Sequence, residues 1–249
     1  MAHLDEEINA VISGSELENE KRTSRKLPLF ARLLLILLIT VINTTCSILL
    51  IYRWKESGTL IPSMAASTNI PGIFVQNLIT SAFAILLFII FLVILKSRFA
   101  DEMYLKIKGK ISLVVVVTLV AILLGFMIFC LITKQDKITV LYNLFYYAFF
   151  IAFFEEFIFR DVFPFLLKEE KTVLRYLVPA IMFGLIHIFN NSGWQSITAY
   201  QVIKFITSQM LGYIAFSCLV QFLKEKSGTI WIPVLVHTIM DYSGILKLN

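Results

Sequence analysis

Of the 249 residues, 58% are hydrophobic and 16% charged. Ordinary soluble domains carry roughly 25% charged residues. This balance, with a mean hydropathy of +0.83, excludes a water-soluble enzyme and leaves room for one membrane domain. The formal net charge of +5 would suit a nucleic-acid partner, but Lys and Arg sit in short clusters between apolar runs. Orientation in a bilayer accounts for them, and no nucleic acid is expected. Cys46, Cys130 and Cys218 each fall inside an apolar run without paired spacing, so they read as core residues.

In chain order, residues 1–28 are polar, with an acidic start (Asp5, Glu6, Glu7) and a basic end (Lys21, Arg22, Arg25, Lys26). They read as a flexible cytoplasmic tail. The next apolar run is longer than a signal-peptide core and lacks a small-residue cleavage pattern, so it reads as a retained span. Apolar runs then place spans at 31–52, 73–95, 111–133, 138–163, 173–190, 200–223 and 229–247. The expected fold is an all-α polytopic transmembrane bundle of about seven spans. The fourth is expected to break or turn back where Arg160, Asp161 and Pro164 interrupt it. The seventh starts after Gly228 and carries Pro233 in its first turns, where proline is tolerated.

Counting Lys and Arg near the span ends gives 14 on the side of the N-terminal cluster and 5 on the other. The N-terminus is therefore expected in the cytoplasm and the C-terminus outside, in a multi-pass protein of the cell membrane.

Ionisable side chains are costly in hydrocarbon and need a partner or a function. Spans two and three contain none and span one has only Arg32 near its entrance, whereas the last four hold Glu155, Glu156, Arg160, Asp161, His187, Lys204, His237 and Asp241. This divides the chain into scaffold helices (29–136) and a membrane core expected to hold the functional site (137–249). Glu155 lies 13 residues from Lys168, His187 12 from Arg175 and His237 11 from Lys226, or roughly 20, 18 and 17 Å below one membrane edge at helical rise. Glu155, His187 and His237 therefore share a depth, although neighbouring spans run in opposite directions.

Helical spacing assigns the faces. Glu156 and Arg160 are i and i+4 and can neutralise each other, while Glu155 points about 100° away and must find its partner on another helix. His237 and Asp241 share the i, i+4 spacing, as do Phe183 and His187, with Gly184 allowing close helix approach. A glutamate withdrawn from water can act as a base towards a water molecule, one imidazole can share the proton, and a second can donate to a developing oxyanion. That set of groups suits peptide-bond hydrolysis. An interhelical hydrogen bond would explain a lone membrane histidine, but it does not explain two at the depth of an unpaired glutamate.

Glu155-Glu156-Phe157-Ile158-Phe159-Arg160 matches EExxxR, Phe183 to His187 matches FxxxH, and His237 to Asp241 matches HxxxN/D. With the lead-in from Ser227 to Pro233, these motifs resemble the CAAX protease and bacteriocin-processing (CPBP, or Abi) family over about residues 140–245. The resemblance implies a catalytic set of Glu155 with His187 activating water and His237 with Asp241 stabilising the oxyanion. Glu156, Arg160 and Phe183 would shape the site. The family takes either Asn or Asp at the last position, and Asp241 is expected to be protonated or paired with His237 as imidazolium. The sequence lacks HExxH, so no metal or other cofactor is expected; were zinc bound, Glu155, His187, His237 and Asp241 would ligate it. The expected partners are membrane lipid and a peptide or protein substrate: a prenylated CAAX tail, a bacteriocin leader or another membrane peptide. Two other readings stay open, a proton-coupled transporter and a non-catalytic immunity or regulatory member of the same family.

Overall fold

The computed structural model describes residues 27–134, 136–192 and 198–244, so the tail assigned to 1–28 and the end of the last expected span lie almost wholly outside the described residues. The first turns of helix α1 (Leu29–Glu56), up to Leu35, are a unit of their own, and Ile36 onward forms the bundle. There follow α2 (Ile70–Thr80), α3 (Ala82–Leu95), α4 (Lys110–Thr133), α5 (Lys137–Leu166), α6 (Thr172–Ser192), α7 (Ala199–Ser208), α8 (Met210–Ser227) and α9 (Trp231–Ser243). No strand occurs among the described residues.

Every expected span is helical, but the count of seven membrane crossings is not reached on length. Among the described residues, four helices have the length and apolarity to cross: α1, Ala82–Glu102, α4 and α5. The α7–α8 pair, bent by 47°, would make a fifth. α9, at 13 residues, falls short of the roughly 20 residues that hydrocarbon requires. The second expected span is two helices meeting at Ser81, and the sixth is divided at Gln209.

Packing separates inner from outer helices. α4 leaves Ile111, Val114 and Ile132 on the outside, as a lipid-facing helix does. α6 lies against α8, and α9 against both α4 and α5. A Cβ on Gly184 would come within 2.6 Å of Met210 Sδ, so the thioether end of Met210 occupies the space beside Gly184 where α6 meets α8. Phenylalanine rings run along α5, with Phe145 stacked on Phe149, Phe149 on Phe153, and Phe153 on both Phe157 and Trp231 of α9.

α5 corrects one expectation, because it neither breaks nor turns back at Arg160, Asp161 and Pro164. It continues to Leu166, widened into π-helix over Tyr146–Phe153 and Phe157–Val162. Pro164 offers no N–H to the carbonyl of Arg160 four residues earlier, and that carbonyl accepts a hydrogen bond from Lys224 Nζ of α8. The same ammonium pairs with Asp161 and lies over the Tyr104 ring at 4.2 Å. Lys224, one of the 14 basic residues next to span ends, is buried at 3% exposure. It serves both the buried carboxylate and the orphaned carbonyl, and so removes the physical reasons for a break.

The N-terminus of α5 is held from outside the span. Asp136 accepts hydrogen bonds from Ser67 Oγ, from Thr139 Oγ1 at 2.6 Å and from the Thr139 N–H at 3.0 Å. These donors, Ser67 first, hold its carboxyl below the usual carboxylate range.

Lys224→Met is expected to strand Asp161 and cost about 3–5 kcal/mol of stability, read as a lower melting temperature in detergent. Adding Asp161→Leu should recover much of the loss by removing the unmatched carboxylate. A wild-type melting curve for Lys224→Met alone would remove the pair from the account of α5.

Candidate active site

The middle of α5 presents two adjacent glutamates to different surroundings. Glu156 is fully buried, with Oε2 2.9 Å from Arg160 Nε one turn along the same helix. This contact is an ion pair rather than an aligned hydrogen bond. Arg160 is also without exposed surface; its Nη1 donates to Ser217 Oγ of α8 at 2.7 Å, and its guanidinium lies 4.9 Å from the centre of the Phe183 ring of α6. The other oxygen of Glu156 faces His237 Nδ1 of α9 at 2.9 Å. Glu156 thus joins the arginine to the histidine.

That bond leaves Nε2 as the ring nitrogen of His237 turned towards Asp241 Oδ2, at 3.4 Å, and Glu155 Oε2, at 3.9 Å. With a carboxylate near each ring nitrogen, the imidazolium form can donate on both sides. Glu155 Oε2 is buried and accepts no hydrogen bond among the described residues. The sequence expectation that Glu155 must look to another helix is met at a distance beyond hydrogen bonding. The Asp241 side chain, at 34% exposure, is the most open of the group.

His187 approaches from α6. Its Nδ1 donates to the Phe183 carbonyl at 2.8 Å, which in the neutral ring leaves the lone pair on Nε2. Phe183 and Tyr213 flank the ring, with centroids 4.5 and 4.3 Å away. Glu155, His187, His237 and Asp241 line one cavity of about 600 Å³. Glu156, Arg160 and Phe183 lie behind it and position His237 and His187.

Two features of the site went unread in the sequence. Ser217 completes the arginine's contacts from another helix, where no local spacing rule reaches it. The cavity wall also includes Asn43, Thr44 and Ser47 of α1 with Thr80 and Ser81 at the α2–α3 junction, so the first helices contribute to the candidate site. Their signal in the sequence is that of neutral polar residues inside apolar runs, which carry no charge to mark them.

Among the described residues, no group of three or more His, Cys, Asp and Glu side chains is arranged to hold a metal ion. Nδ1 of each histidine is committed to a protein oxygen.

Residues 137–243 match the family model described as Rce1-like, type II CAAX prenyl endopeptidase Rce1-like. No curated protein and no solved structure matches the chain. The matched segment runs from the first residue of α5 to the last of α9 and contains all three motifs. Over residues 137–243, less than half of its length, the chain is thus similar to the CAAX protease (CPBP) family.

Proposed function

We propose that the chain is an intramembrane endopeptidase that cleaves a membrane-associated peptide with water activated by Glu155 and His187. The observation that carries this reading is the buried Glu155 oxygen without a hydrogen-bond partner, facing the cavity that the two histidines share. In the reaction, Glu155 takes a proton from water as the water oxygen attacks the peptide carbonyl, and His187 Nε2 shares that proton. Charge developing on the carbonyl oxygen is met by His237 Nε2–H, held in place through Nδ1 by Glu156. The C–N bond then breaks as the proton passes to the leaving amine. Asp241, across Nε2 from Glu155, pairs with His237 between turnovers.

No step in this scheme requires a metal or other cofactor. The partners are membrane lipid and a peptide, whether a prenylated CAAX tail, a bacteriocin leader or another membrane peptide. The N-terminus is cytoplasmic on the distribution of Lys and Arg, which remains 13 to 5 when the buried Lys224 is withdrawn from the 14.

The test is a single-turnover cleavage assay on a model membrane peptide in detergent, with a melting curve for each protein. Glu155→Gln is expected to lower the cleavage rate by about 10²–10⁴ while melting like wild type. Glu156→Gln is expected to lose about 3–5 kcal/mol of stability, because it leaves Arg160 buried without its charge partner. Adding Arg160→Met should restore melting but not cleavage, since His237 would still lack its carboxylate. A stable but inactive Glu156→Gln beside an unstable Glu155→Gln would exchange the two roles. A chelator should leave the wild-type rate unchanged; loss of activity with recovery on added zinc would make Glu155, His187, His237 and Asp241 ligands. Wild-type protein that cleaves no peptide would favour the regulatory or transport readings.

A further inference from the structure

A second cavity, of about 620 Å³, shares no residue with the catalytic one. It lies where α4 begins and α8 gives way to α9, and Lys108, Lys110, Ile111, Val115, Leu223 and Lys226 are among its lining residues. Its floor is preformed, because Ser112 Oγ of α4 donates to the Ser227 carbonyl at the end of α8 at 2.7 Å, and Ile232 of α9 is buried beside them.

Two chemistries meet in this cavity. One is cationic: all three lysines are exposed, and Lys108 shares Asp101 with Lys106 at 3.0 and 2.7 Å, so one carboxylate serves two ammonium groups. No ion pair joins Lys110 or Lys226 to a carboxylate among the described residues, although Lys226 Nζ lies 5.7 Å from the Phe222 ring. The other is apolar: Ile111 is 82% exposed one residue after Lys110, at the start of a helix whose outer surface is hydrocarbon-facing. The end of a 24-residue apolar helix is where headgroups meet acyl chains.

We propose that this cavity binds one anionic phospholipid, its phosphate held by Lys110 and Lys226 with Lys108 beside them, and an acyl chain lying along Ile111, Val115 and Leu223. The cationic rim supplies the preference for an anionic headgroup, and the apolar wall requires that the anion carry a hydrocarbon tail. Neither side chemistry alone selects this ligand. A zwitterionic lipid satisfies the wall while bringing a cation to the lysines, and a free phosphate leaves the wall unused.

The test is native mass spectrometry of the delipidated full-length protein, titrated with phosphatidylglycerol and with phosphatidylcholine of the same acyl chains. One phosphatidylglycerol is expected to bind at least about tenfold more tightly than phosphatidylcholine. The double variant Lys110→Gln with Lys226→Gln should weaken that binding about thirtyfold, at about fivefold per lysine near a membrane surface. Phosphatidylcholine binding and the melting temperature should be unchanged. The control variant Lys134→Gln with Lys137→Gln, at the opposite end of α4, should retain wild-type affinity. Equal affinity for the two lipids, or an equal loss in the control variant, would reduce the effect to general surface charge and overturn the site. Displacement of phosphatidylglycerol by inorganic phosphate would assign a free anion instead and overturn the lipid.

Discussion

A guanidinium with no exposed surface must have its charge met within the fold, and three helices face the charge of Arg160. Glu156 answers from the preceding turn of α5, Ser217 from α8, and the face of Phe183 from α6. Such a cluster adds little net stability, because withdrawing the charges from water costs about as much as their attraction returns. What it contributes is position. Glu156 is fixed by Arg160 on one side and reaches His237 on the other, so the orientation of the α9 imidazole follows from a charge pair on α5.

The local part of this arrangement was legible in the sequence. Each i, i+4 pair identified from spacing makes its contact: Glu156 with Arg160, His237 with Asp241, and Phe183 with His187. These contacts depend only on helical geometry, which one strand of sequence carries in full. The contacts that were missed all cross between helices. Lys224 directly follows the sixth apolar run, yet it turns inward to Asp161 and the carbonyl that Pro164 leaves unsatisfied. Its direction depends on the rotation of α8 against α5, which sequence spacing does not encode. The same holds for Ser217 and for the neutral polar wall from α1.

Helix length and burial explain why charges concentrate where they do. The most apolar stretch of α5 is 39% buried, against 17% for α4, and that difference makes α5 an inner helix. α9 is too short to cross a bilayer unaided but carries both His237 and Asp241, packed against α4 and α5. Inner helices can hold ionisable groups because protein rather than lipid surrounds them. The outward residues of α4 are apolar instead.

The two adjacent glutamates show how one helix separates structure from reaction. Both lie on α5, but a rotation of about 100° gives Glu156 Arg160 and His237 as partners and gives Glu155 a cavity. In the proposed reaction Nδ1 of His237 is committed to Glu156, so an oxyanion formed in the cavity would be met by Nε2. That nitrogen already lies near Asp241 and Glu155, at 3.4 and 3.9 Å. A substrate carbonyl oxygen approaching it competes with Asp241, whose side chain is more exposed than that of Glu155 and can turn towards the open side of the cavity. Glu155, more deeply enclosed, stays beside the attacking water. In the proposed reaction, then, unequal burial of two carboxylates around one imidazole nitrogen decides which yields its place to the oxyanion and which remains to take the proton.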